Sequence, residues 1–330
     1  MTIIRRLGHA AAAAGLAALV ATGAGAAEIK IALDSQPDLQ RSGTYVFAHA
    51  LYEHLKANGV DAKELAVNTI GGEAERLDQT TQGLLEVDMA DLARAAQLDQ
   101  RMFDFVTPYL FESLDHLDKV VAESTLLKQI NDTMSKKGAR VAALVPVGGA
   151  TGIFNTKKPI TKPEDMADLR IRALDENQLK LLRAWGSNGV VITMPEVANA
   201  LQTGTANGYI NPPFVPFLFG HADTLKYYTD ANISVPLRVA LVSSDWYAKL
   251  PAKDKATFDE GVAKAVAANR AWVKGSDTTA IAQLEKAGIQ ITHLSPEGRA
   301  RFKELSKPAY TAILTQAEVQ QFIDAAAKYR

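Results

Sequence analysis

The sequence predicts an α/β protein of two lobes. Residues 169–213 alternate short apolar runs with helical periods in a β-α-β-α-β rhythm, the pattern of a largely parallel sheet whose carboxyl edge receives ligands. A length of 330 residues suits two domains of about 150 each better than one small domain. With 47% hydrophobic and 22% charged residues, the composition is that of an ordinary globular protein.

Residues 1–26 read as a cleavable signal peptide. Arg5 and Arg6 form a charged start, 10–20 an alanine-rich apolar stretch, and Ala24, Gly25, Ala26 and Ala27 a small-residue cleavage site. The paired arginines leave both a general and a twin-arginine export route open. Loss of the leader makes a formal charge of −1 more acidic by two units. No basic field exists for nucleic acid or an anionic membrane surface. The chain has no cysteine, which removes disulfides, thiolate catalysis and cysteine-bound metal. A soluble, exported protein is expected.

Residues 28–34 alternate as a first strand, opening into a polar loop that holds Gln36 and Arg41. Helix 43–58 ends at Asn58-Gly59, and strand 64–67 precedes Gly71-Gly72, a pair that suits either a turn or close approach to a ligand. Helix 74–84 and strand 85–90 lead to Asp91, Leu92 and Arg94. Arg94 is read as reaching a cleft or as solvated. One helix is expected over 114–134, a buried strand over 140–147, and a hinge at 148–152.

Strand 169–174 carries Arg170 and Arg172, followed by helix 177–185, strand 190–193 and helix 196–202. Phe214, Pro216, Phe217 and Phe219 suit a pocket wall or core equally. Strand 233–242 buries Arg238, whose charge requires a paired acid or a bound anion. A long helix from 252 to 287 with a weak point at Gly275-Ser276, a strand at 288–292 and helices 299–310 and 317–329 complete the chain.

The run RIRAL followed by MPEVANALQTGTANGYINPP resembles the signature stretch of the DctP-type solute-binding proteins of TRAP (tripartite ATP-independent periplasmic) transporters. Arg172 stands at the family's strand arginine, Glu196-Val197 at its "EV", Leu201 to Gly204 at its "LQTG" and Asn211-Pro212 at its "NP". Asn207 replaces the usual Asp, and Tyr209-Ile210 the usual Gln-Glu. The resemblance implies a type II-like two-lobed periplasmic binding protein with mixed sheets and a long helix spanning both lobes. One lobe would comprise 27–149 with 239–277, the other 150–238 with 278–306, and a C-terminal helix 307–330.

In that reading Arg172 anchors a carboxylate, which a planar guanidinium holds with two parallel hydrogen bonds. Asn211 donates and accepts beside it or forms a plain Asn-Pro turn. Met194 packs on the ligand body or on generic core. Many family members carry a second arginine where this chain has Thr151-Gly152. Arg238 either replaces it or forms a structural ion pair. Arg94, Gly72, Gln36 and Phe214 complete the expected ligand-binding set. The ligand is expected to be a small organic acid, a monocarboxylate with an apolar or aromatic body. The partners are the TRAP membrane subunits, no nucleic acid is expected, and the receptor is monomeric.

No hydrolase elbow, Walker loop or dinucleotide fingerprint appears, so no catalytic residue and no cofactor is expected. His49 and His54 lie five apart, a poor zinc spacing, so no metal is expected either. An ABC-type solute receptor, a periplasmic sensor and, more remotely, a periplasmic enzyme are the rival readings.

Overall fold

The computed structural model describes residues 28–310 and 315–330; the expected signal peptide lies outside the described residues. The first lobe begins with β1 (Ile29–Ala32), α1 (Gly43–Ala57), β2 (Ala62–Leu65), α2 (Glu73–Thr81), β3 (Val87–Asp91) and α3 (Leu92–Leu98). After a 3-10 segment over Gln100–Val106 come α4 (Leu114–Glu123), α5 (Leu126–Met134) and β4 (Ala139–Pro146). The expected single helix over 114–134 is two. Ser124 stops α4 with extended backbone, and its hydroxyl accepts the Leu126 N–H at 3.3 Å to start the next helix.

The second lobe holds β5 (Gly152–Asn155), β6 (Ile171–Ala173), α6 (Glu176–Ala184), β7 (Val190–Val191), α7 (Val197–Thr203), β8 (Gly208–Asn211), α8 (Val215–Leu218) and β9 (Tyr227–Asp230). The chain then returns through β10 (Leu237–Ser243) and α9 (Ser244–Lys249). It continues along α10 (Ala252–Lys286) to β11 (Gln290–His293), α11 (Pro296–Tyr310) and α12 (Gln316–Lys328).

Two mixed sheets result. The first has the order β2-β1-β3-β10-β4 and the second β11-β9-β5-β8-β6-β7. In the first, β1 is parallel to β2 and β3, while β10 is antiparallel to β3 and β4. In the second, β6 is parallel to β7 and β8, whereas β5 runs antiparallel to β8 and β9. The 169–213 rhythm therefore reads the parallel part correctly and misses β5, hidden behind the glycines of the hinge.

Apolar side chains cover both faces of the first sheet. Phe47, Leu51 and Phe258 from α1 and α10 close one face over Ile31, Val87 and Ala240. Phe105, Ile130 and Phe322 close the other over Val141, Leu144 and Leu241. In the second lobe Leu182, Trp185 and Phe302 pack over Ile153 and Ile171, with the Trp185 indole N–H donating to Ser306 Oγ at 2.9 Å.

The chain crosses between sheets over 147–151 and 231–236, and the crossings are bonded to each other. Val147 N–H donates to Pro236 O at 3.0 Å, Thr151 N–H to Ser234 O at 2.9 Å, and Ile233 N–H to Thr151 O at 3.0 Å. The second crossing ends earlier than the sequence boundary at 238/239, which falls inside β10: Leu237 and Arg238 already pair with Pro146 and Val145. Pro236 delays the expected strand start at 233, since it has no N–H for a ladder. Helix α10 is continuous past Gly275 and, at 1.5 Å per residue, about 50 Å long. Its Phe258 lies in the first lobe's core and its Leu284 in the second's. Helix α12 packs back on α4 and the 100–106 segment of the first lobe. Among the described residues no helix is long and apolar enough to cross a membrane.

Candidate functional site

A cavity of about 930 Å³ lies between the two sheets, at the ends of their strands. From the second lobe Arg172, Leu174, Met194, Ile210, Asn211 and Phe214 line it. From the first come Asp34, Ser35, Thr44, Asp91, Asp104 and Arg238, and the paired crossings contribute Thr151, Ser234 and Pro236.

Arg172 sits in β6, where the apolar pattern would place an aliphatic residue, and is 3% exposed. Its Nε–H donates to Ile192 O at 2.7 Å, which fixes the plane of the fork. No carboxylate reaches ion-pair distance of it among the described residues. Burial pulls its pKa down, and Asp175 and Tyr209 act in the opposite direction; a guanidinium stays charged regardless. A buried cation without an anion is costly and calls for an incoming one.

Asn211 ends β8, the strand next to β6, and its buried Nδ2 has no hydrogen-bond partner. An unused buried donor costs on the order of 1–3 kcal/mol unless a ligand accepts from it. Met194 is placed by a short 3-10 turn in which Thr193 and Glu196 cap each other, with the Thr193 hydroxyl donating to Glu196 Oε2 at 2.7 Å.

The opposite wall is dominated by carboxylates. Arg238 in β10 donates through Nε to Asp34 Oδ2 at 2.7 Å, through Nη1 to Asp91 Oδ2 at 2.9 Å and through Nη2 to Glu73 Oε1 at 2.7 Å. Burial disfavours its charge, but Asp34, Glu73 and Asp91 outweigh this and raise its pKa. Of the two alternatives for Arg238 the structure shows the ion pair, since each of its three nitrogens already donates to an acid. Asp34, with a side chain 5% exposed, leaves Oδ1 without a hydrogen bond among the described residues. Asp104 is 1% exposed and its buried Oδ2 has no partner. Burial pushes Asp104 up to about 7 against the Thr107 hydroxyl, which donates to Oδ1 at 3.4 Å, with Glu318 adding to the rise.

Gln36, Arg172, Met194, Asn211, Phe214 and Arg238 are brought together around the cavity. Arg94 and Gly72 are not among its lining residues. The Arg94 side chain is 35% exposed with Nε 3.9 Å from Glu73 Oε2, a solvated arginine in a loose ion pair. Gly72 is exposed and starts α2, its N–H donating to Glu75 Oε2 at 2.6 Å, so the glycine pair is a turn. Of the two positions Thr151 and Gly152, the second has no room for a side chain. A Cβ there would lie 2.4 Å from both Thr229 O and the Tyr228 ring.

Sequence reasoning missed Asp34 and Asp104 as cavity residues. Asp104 carried a usable signal, a carboxylate inside the apolar run MFDFV, which is the same anomaly that drew notice to Arg238. Among the described residues no group of three or more His, Asp or Glu side chains could hold a metal ion.

Residues 36–317 match the family model described as "Bacterial extracellular solute-binding protein, family 7". The chain is 27% identical to the ectoine/5-hydroxyectoine-binding periplasmic protein UehA of Ruegeria pomeroyi, with 89% of this chain and 87% of that protein covered. It is 24% identical to the C4-dicarboxylate-binding periplasmic protein DctP of Rhodobacter capsulatus over 83% of this chain and 82% of that one. A TRAP periplasmic solute-binding protein from Ochrobactrum anthropi, crystallised with its C-terminus in the ligand-binding pocket, shares the fold. The TM-score is 0.81 at 24% identity, covering 91% of this chain and 95% of that one.

Proposed function

The chain belongs to the DctP family, the extracellular solute-binding receptors of TRAP transporters, and from that premise we propose that it captures a small monocarboxylate on Arg172 and Asn211. Buried Arg172, free of any carboxylate partner, is the observation that carries this reading. With Arg238 committed to three acids and position 152 closed to a side chain, one guanidinium fork remains, enough for one carboxylate. Met194, Leu181, Ile210 and Phe214 give the ligand body an apolar surface.

The two relatives named above bind an ectoine in one case and C4-dicarboxylates in the other, so kinship alone does not select the acid. Contacts to both walls stabilise a closed form, which is delivered in the periplasm to the TRAP membrane subunits.

Calorimetry against a panel of organic acids tests the anchor. Arg172→Lys keeps the charge and loses the fork, and is expected to weaken the best binder at least tenfold, about 1.4 kcal/mol. An unchanged dissociation constant in R172K removes Arg172 from the site.

A further inference from the structure

Resting on the reading of Arg172 as the carboxylate anchor, we propose that the solute is a zwitterion, with a protonated nitrogen at its far end lodged against Asp34 and Asp104.

One carboxylate neutralises one guanidinium. Arg238 nevertheless has three, Asp34, Asp91 and Glu73, and with Arg94 3.9 Å from Glu73 the partly buried cluster keeps an excess of one negative charge. Asp104, also from the first lobe, is a further acid on the cavity lining. Such crowding is unfavourable unless a further cation arrives, and no lysine or histidine lines the cavity to supply it. Arg41, the other cation on the lining, is 74% exposed in its side chain and sits 3.9 Å from Asp38 at the rim.

Two of these acids have spare acceptors. Asp34 Oδ1 and Asp104 Oδ2 make no hydrogen bond among the described residues, and both side chains are more than nine-tenths buried. Asp91 is different, since Oδ1 accepts the Ala93 N–H at 2.8 Å and Oδ2 serves Arg238; it adds field without a free acceptor. The cavity is therefore positive on the Arg172 wall and negative on the Asp34 wall. An ammonium or amidinium at the far end supplies the donors that Asp34 and Asp104 lack. A second carboxylate there would meet Asp34, Asp91 and Glu73, which already hold all three nitrogens of Arg238.

The test is calorimetry on the mature chain with matched probes: the ω-amino acids from glycine to 6-aminohexanoate and the proteinogenic α-amino acids. Each is paired with its N-acetyl derivative, its amine-free acid and the dicarboxylate of equal length. The expected result is a zwitterion that binds at least tenfold more tightly than all its partners, a preference that D34N and D104N each shrink below about threefold. The comparison among probes is made on the unaltered protein, so it stands even where a variant folds poorly. A plain acid or dicarboxylate that binds as tightly as the best zwitterion, or the failure of every zwitterion to bind, overturns the proposal. Loss of affinity for that plain acid in R172K would leave the anchor reading intact. A zwitterion indifferent to R172K would overturn the anchor instead.

Discussion

Arg172 and Arg238 are the same side chain on buried strands, and their neighbours alone separate their roles. Both were legible in the sequence, because a guanidinium inside an apolar run needs a counter-charge. Which counter-charge each receives was not, since Asp34, Glu73 and Asp91 reach Arg238 from three distant stretches of chain. Arg238→Met leaves those acids facing each other and is expected to destabilise the fold by about 3–5 kcal/mol in urea unfolding; a loss below 1 kcal/mol would mean that the cluster is not held by this cation. Asp104 yields a prediction of opposite character. Burial raises its folded pKa from 3.8 to about 7, so the native state binds a proton that the unfolded chain has released, and stability falls as pH climbs between those values. Relative to D104N, the wild-type chain should lose on the order of 3–4 kcal/mol between pH 4 and pH 8, read from urea midpoints at both pH values. Parallel curves for the two proteins would place Asp104 in a wetter setting.

At the scale of elements, periodicity served helices better than hinges. The long helix was legible from Phe258, Val262, Val266, Val273, Ile281 and Leu284 recurring on one period. Its suspected break at Gly275 does not occur, because a glycine in a helix interior costs only about 1 kcal/mol relative to alanine, and packing at both ends exceeds that. A Cβ at Gly275 would meet nothing within 4 Å. Gly275→Ala is therefore expected to stabilise the protein by about 0.5–1 kcal/mol, seen as a higher denaturation midpoint. A lower one would show that the helix needs to bend there. Strand β5 escaped notice for the converse reason: its first residue is the last glycine of a run that reads as a hinge, and Gly152 is required there by the Tyr228 ring and Thr229 O, a contact that no local pattern announces.

Over the whole molecule, both lobes contribute to the lining of one cavity. A ligand that binds only the folded chain is expected to stabilise it by about 2.7 kcal/mol at one hundred times its dissociation constant, and closure around it should lower the radius of gyration in X-ray scattering. Scattering unchanged by saturating ligand would argue against hinge closure. The paired crossings at 147–151 and 231–236 explain why the lobes were legible from length and resemblance while their borders were not: a sheet takes its members from both sides of the other. The position of β10 carries this furthest. It lies between β3 and β4, yet its first residue, Leu237, emerges from the ribosome some ninety residues after β4 ends. Until then the amino-terminal portion has a seam between β3 and β4, which only β10 joins. Strand β4 in particular has no neighbour in its sheet until β10 arrives, so the five-strand ladder is completed only when about three quarters of the 330 residues are present.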